Sequence, residues 1–105
     1  MKDLTCQKCH HALPIEDLLG AAFGYSRATD SGASSCPACR DCIEFRLRAG
    51  VVELGYTYWA GAMHFEAVSS QRVVGLKVLW TNEILTATVG NRTFRLEPPR
   101  SAQVP

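Results

Sequence analysis

The chain has 105 residues, 47% of them hydrophobic and 20% charged, with a formal net charge of +1. One domain of this size buries roughly 65% of the surface its unfolded form exposes, a modest core that a metal staple would help. Near-neutral charge lacks the basic field that nonspecific nucleic-acid binding needs, and no run approaches the roughly 20 apolar residues of a membrane span.

The N-terminal stretch MKDLTCQKCHHALPIEDL has no apolar run followed by a small-residue cleavage site, so it does not read as a signal peptide. A cytoplasmic setting is expected, where thiols stay reduced. The five cysteines then point to metal before disulfides.

In chain order, the first feature is Cys6-Gln7-Lys8-Cys9. Behind it, Ile15, Leu18, Leu19, Ala22 and Phe23 recur at helical spacing. Pro14 suits the first helical position, Glu16 and Asp17 suit the positive end of the dipole, and Gly24 can end the helix. Residues 25–35, YSRATDSGASS, are small, polar and without period, and are expected to form a mobile loop. The second knuckle, Cys36-Pro37-Ala38-Cys39, follows 26 residues after the first. Loop closure grows only logarithmically, so the long insert costs roughly 0.3 kcal/mol beyond the usual spacing.

From Cys42 the period changes to two. Ile43, Phe45 and Leu47 alternate with Glu44, Arg46 and Arg48, and Ala49-Gly50 can turn the chain. That register sets Leu47 opposite Val52, Phe45 opposite Leu54 and Ile43 opposite Tyr56, with Arg46 opposite Glu53 on the other face. Residues 62–68 and 72–80 read as two further strands, interrupted at Ser69-Ser70-Gln71 and ended by Thr81-Asn82. Gly90-Asn91 is a type II′ turn signal that sets Leu85 opposite Leu96, Ala87 opposite Phe94 and Thr88 opposite Thr93. The expected fold is mainly β: a zinc-ribbon-like N-terminal element with one short helix, packed on an antiparallel meander curled into a small sandwich or partial barrel. The expected divisions are residues 1–42, a knuckle element with helix and mobile loop, 43–97, an antiparallel β domain, and 98–105, a disordered tail.

Two CxxC turns can each face a pair of thiolates toward one ion, completing a tetrahedron at about 2.3 Å per Zn–S bond. Cys6, Cys9, Cys36 and Cys39 are therefore the expected ligands of one structural Zn²⁺. Zinc with four thiolates changes the formal charge from +1 to about −1. The two knuckles, the second CPxC and followed by strand, resemble the zinc-ribbon family, rubredoxin-like in outline, over residues 4–48. Family knuckles often carry glycine after the second cysteine, where this chain has His10 and Arg40.

Cys42 reads as a buried inert thiol at the start of a strand, with a substitute-ligand role as the alternative. Iron is an alternative occupant of a four-sulfur site. Cys6-Gln7-Lys8-Cys9-His10 also matches a haem-attachment pattern, which would need an exported chain. His10 and His11 read as exposed neighbours of a ligand. A His64–Glu66 catalytic pair has no nucleophile to serve, so no enzyme is expected.

Among the rings, Tyr58 falls on the inner parity of its strand and Trp59 on the outer. Tyrosine and tryptophan are enriched at protein hot spots, and Arg46 and Arg48 project from neighbouring outer positions. The expected function is a structural-zinc adaptor that meets another protein through Tyr58, Trp59, Arg46 and Arg48. The alternative is a small regulator that grips nucleic-acid phosphates.

Overall fold

A computed structural model describes residues 4–98. The expected tail at 98–105 falls almost wholly outside the described residues. The elements are β1 (Leu4–Thr5), β2 (Ala12–Leu13), α1 (Ile15–Gly20), β3 (Gly24–Ser26), β4 (Ser31–Ser35), β5 (Cys42–Arg48), β6 (Val51–Trp59), β7 (Met63–Arg72), β8 (Lys77–Thr81), β9 (Ile84–Val89) and β10 (Arg92–Leu96). All strand pairs are antiparallel. They form a two-stranded ribbon β1–β2, a five-stranded sheet in the order β3-β4-β5-β6-β7 and a three-stranded sheet in the order β10-β9-β8. The expected class is the one found: mainly β with one short helix, the sheets open rather than closed into a barrel.

The inner faces of the two larger sheets share one core. Tyr25, Phe45, Leu47, Val52 and Leu54 meet Leu76, Leu85, Ala87 and Leu96, with Leu4, Leu13, Leu18 and Leu19 closing one end. Alternation along β5 and β6 dictates this, because every second residue must leave water together. The β5–β6 register pairs Phe45 with Leu54, Leu47 with Val52 and Arg46 with Glu53, as expected. The β9–β10 register pairs Leu85 with Leu96, Ala87 with Phe94 and Thr88 with Thr93, also as expected.

Four expectations are corrected. The helical stripe runs only to Gly20, and Phe23 is exposed, because its amide is drawn to the carbonyl of Ala33 at 2.9 Å, beside the β3–β4 ladder. Residues 25–35 are not a mobile loop: most of them form β3 and β4. Tyr25 is fully buried there, its hydroxyl donating to the Asp30 carbonyl at 2.9 Å and accepting from the Leu47 amide at 2.9 Å. Gly32 makes room for it, since a Cβ there would stand 2.6 Å from the Tyr25 ring and from the Gly24 carbonyl.

Ser69-Ser70-Gln71 does not interrupt a strand either, for β7 pairs with β6 as far as Arg72. The break falls at residues 73–76, where Val73 donates to Gly50 at 2.9 Å and Leu76 accepts from Gly50 at 3.0 Å. Finally, the β5–β6 ladder ends at Glu44–Gly55, short of the expected Ile43–Tyr56 pair.

That ending shapes the molecule. The β6–β7 register shifts between Leu54 and Gly55, a bulge. Gly55 has no alternative there: a Cβ would lie 1.8 Å from the Glu66 carbonyl oxygen. The Glu44 carboxylate then takes over from the ladder, accepting from the Thr57 amide at 2.5 Å and from the Thr57 hydroxyl at 3.1 Å. Beyond it, β6 and β7 continue as a two-stranded arm that turns at residues 60–62.

Candidate metal centre

Each CxxC sits at the tip of an antiparallel hairpin, and the two tips are built alike. In the first, Thr5 pairs with Ala12, the Cys6 amide donates to the His11 carbonyl at 2.9 Å, and the His10 amide donates to the Cys6 carbonyl at 2.8 Å. In the second, Ser35 pairs with Cys42, the Cys36 amide donates to the Asp41 carbonyl at 3.0 Å, and the Arg40 amide donates to the Cys36 carbonyl at 2.8 Å. His10 and Arg40 occupy matching positions, both in the left-handed region at φ 64°. These are the places where glycine is expected in such knuckles. The turn demands a positive φ, and the chain meets it twice with an L side chain at a cost of about 1–2 kcal/mol each.

The turns converge on one point. The Sγ atoms of Cys6, Cys9, Cys36 and Cys39 all lie within 4.8 Å of one another. Cys6 and Cys39 are 3.8 Å apart, and Cys9 and Cys36 are 3.6 Å apart. A tetrahedron with 2.3 Å Zn–S bonds has edges of about 3.8 Å, so the geometry fits a tetrathiolate ion. It does not fit disulfides, and all five thiols are free.

Backbone amides point at the sulfurs in a repeated pattern. Lys8 donates to Cys6 Sγ at 3.4 Å, and the Ala38 amide lowers the Cys36 thiol. The amides of His11 and Asp41 act in the same direction on Cys9 and Cys39. A thiolate accepts these bonds better than a thiol, so the turns are wired for the charged form.

Four like charges resist ionising together. The amides of Cys39 and Ala38 hold Cys36 down to about 6 against desolvation. At Cys39 the Asp41 amide also lowers the thiol, but desolvation and the neighbouring sulfurs outweigh it and push it up to about 12. Cys9 is raised as well, against the pull of the His11 amide. Cys36 favours the thiolate, and a cation at the centre of the cluster would favour the same form at Cys9 and Cys39. A dication held by all four thiolates would have a closed coordination sphere.

Cys42 stands outside the cluster and is exposed, contrary to the expected buried thiol. Its place in the hairpin is that of Ala12 in the first knuckle, one ladder step outside the ligand turn. It lines a cleft of about 340 Å³ beside the centre, with Cys6, Lys8, Asp41, Glu44 and Gly55. Desolvation, then the Glu44 and Asp41 carboxylates, raise its thiol, the reverse of an activated nucleophile. Lys8 and Asp41 approach to 3.7 Å and bridge the two knuckles across this cleft.

The other singled-out residues lie away from the metal. Tyr58 and Trp59 sit at the end of the arm, 40% and 71% exposed. Tyr58 was expected to face inward; its parity is kept, but β6 has by then run past the core. Arg46 is 3.7 Å from Glu53 and lies 4.7 Å over the Phe65 ring. Arg48 is paired with Asp30. His64 stacks on Tyr58 with ring centroids 5.4 Å apart, and its Nε2 lies 3.4 Å from the Ala60 carbonyl. The residues missed from sequence are Gly55 and Glu44, which create the arm; a glycine inside an alternating strand was the available signal.

Among the described residues no helix is long and apolar enough to cross a membrane. Compared with protein-family models, curated proteins and solved structures, the chain finds no match.

Proposed function

We propose that this chain is a zinc-held recognition module of the cytoplasm. One structural Zn²⁺ in a zinc-ribbon-like centre clasps the β1–β2 hairpin to the large sheet, and the β6–β7 arm meets another protein. The observation that carries the metal half is the four-sulfur cluster with its tetrahedral edge lengths. Support for the binding half is the exposure of Tyr56, Tyr58, Trp59 and Met63 together on the arm. Large rings left in water at one end of a small domain are costly unless a partner covers them. The closed ligand set and the raised Cys42 thiol favour binding over catalysis.

Nucleic acid is the weaker partner. Arg46 and Arg48 are both engaged within the chain, by Glu53 with Phe65 and by Asp30, so neither is free to neutralise a phosphate.

Elemental analysis of protein purified without added metal is expected to give close to one zinc per chain, lost on chelation together with the near-UV signal of the folded state. Capture from native extract is expected to enrich a protein partner with the wild type and to fail with Tyr58→Ala and Trp59→Ala. Equal capture by all three overturns the arm as the contact. Gel retardation at low salt, falling steeply as salt rises, would move the assignment to nucleic acid.

A further inference from the structure

We infer that one face of the β6–β7 arm, carrying Tyr56, Tyr58, His64 and Glu66, docks a segment of the partner through its arginine side chains. This rests on the arm being the partner contact and names the chemistry it takes.

The residues share a face by register. Tyr56 pairs directly with Glu66, and Tyr58 with His64. Their rings form a continuous ladder: Tyr56 and Tyr58 have centroids 6.1 Å apart at 49°, and His64 stacks on Tyr58 at 5.4 Å and 26°. Tyr56 is 50% exposed and Tyr58 40%. The face therefore offers π surfaces in a row with a carboxylate beside them.

The rest of the chain shows how it treats such rings. A guanidinium lies over each of three: Arg27 over Trp80 at 5.1 Å, Arg46 over Phe65 at 4.7 Å and Arg92 over Phe94 at 4.9 Å. On the arm, Arg46 covers Phe65 on the opposite face, and no guanidinium lies over Tyr56 or Tyr58 among the described residues. Residues 49–71 contain Glu53 and Glu66 but no lysine or arginine, while all 11 basic residues lie elsewhere. A cation is attracted to the face of a ring, and a neighbouring carboxylate adds to that attraction. The arm thus presents the ring-and-carboxylate half of an interaction whose guanidinium half must come from outside. Arginine fits better than lysine, because its planar, weakly hydrated head stacks on a ring while still bonding a carboxylate. The negative face repels phosphates, which separates this occupant from nucleic acid.

The probe is a short fluorescein-labelled peptide of alternating arginine and serine, titrated by anisotropy at physiological salt. Its lysine and citrulline counterparts and a single-stranded oligoadenylate are titrated in parallel. The wild type is expected to bind the arginine peptide best, the lysine peptide less tightly and the citrulline peptide not measurably. Tyr56→Ala and Tyr58→Ala should each weaken binding about two- to fivefold. Glu66→Gln should weaken it by up to about fivefold and flatten its salt dependence. Leu79→Ala, on the exposed face of the three-stranded sheet, should bind as the wild type does.

Equal affinity for the citrulline peptide overturns the inference, and that comparison does not depend on any variant folding. So does unchanged binding by a folded, zinc-loaded Tyr56→Ala/Tyr58→Ala protein. Tyrosine-dependent binding of the oligoadenylate in preference to the peptide, or a wild-type dimer dissolved by Tyr58→Ala in sedimentation, also overturns it. If the arginine peptide does not bind while Tyr58→Ala still abolishes partner capture, the inference falls and the arm remains the contact. If both fail, the arm is not the contact.

Discussion

The two knuckles share a backbone but not a foundation. The second grows out of β4 and β5, and β5 runs on through Phe45 and Leu47 into the middle of the five-stranded sheet. The first closes a ladder of only two residue pairs, Leu4–Leu13 and Thr5–Ala12, held to the core by Leu4 and Leu13 and by the helix behind it. Identical turns on such unequal supports imply that the sheet preforms one half of the four-cysteine cluster, and that an ion bound there would recruit the other. A metal bound there would act as a folding contact for the N-terminal 20 or so residues more than for the sheets.

The largest effect that could break this contrast is removal of the metal. Structural zinc contributes about 10–16 kcal/mol in small zinc peptides, comparable with the whole stability of a domain. Hydrogen exchange followed during chelation is expected to release the amides of Cys6 and His10 first and that of Leu47 last. Simultaneous release of the Cys6 and Cys36 amides would show that the sheet does not support the second knuckle by itself.

Next in size is Tyr25→Phe. It strands the buried Leu47 amide and cuts the link to Asp30, so urea unfolding should report a loss of about 1–3 kcal/mol. Zinc content at neutral pH should stay at the wild-type level, because the damage lies in the sheet. Loss of zinc along with stability would join the two regions that the comparison separates.

His10→Gly and Arg40→Gly relieve the positive φ in each knuckle. Each should raise the thermal midpoint, by a stabilisation of at most about 1 kcal/mol after the added freedom of the unfolded chain. Matching backbones predict matching gains, and unequal gains would expose a difference between the turns. Smallest is the Lys8–Asp41 pair, whose double-mutant cycle should return no more than about 1 kcal/mol, since both groups are largely in water.

The hairpins and the four-cysteine cluster were legible because both follow short rules. Period-two alternation with Gly90-Asn91 or Ala49-Gly50 between strands sets the registers, and cysteine spacing sets the knuckles. What escaped was governed by contacts distant in sequence. Residues 25–35 look like a loop because Gly32 and Ser34 are small, yet Gly32 is small to admit Tyr25, and Ser34 is buried with its hydroxyl donating to the Leu18 carbonyl at 2.8 Å. The stripe of apolar residues running to Phe23 was real as a pattern, but pairing beside β4 ended the helix before it. At His10 and Arg40 the turn overrode residue preference, which no reading of propensity would find.

The junction at Gly55 also sets how changes travel through the molecule. Past it, the arm is tied to the body by two backbones, the Glu44 carboxylate on Thr57 and Arg46 over the buried Phe65 ring. A substitution at the tip therefore shifts few core side chains, and a disturbance in the core reaches the tip weakly. Recognition surface and fold can diverge independently across that point. Gly55 at the junction, which has no space for a side chain, is answerable to both.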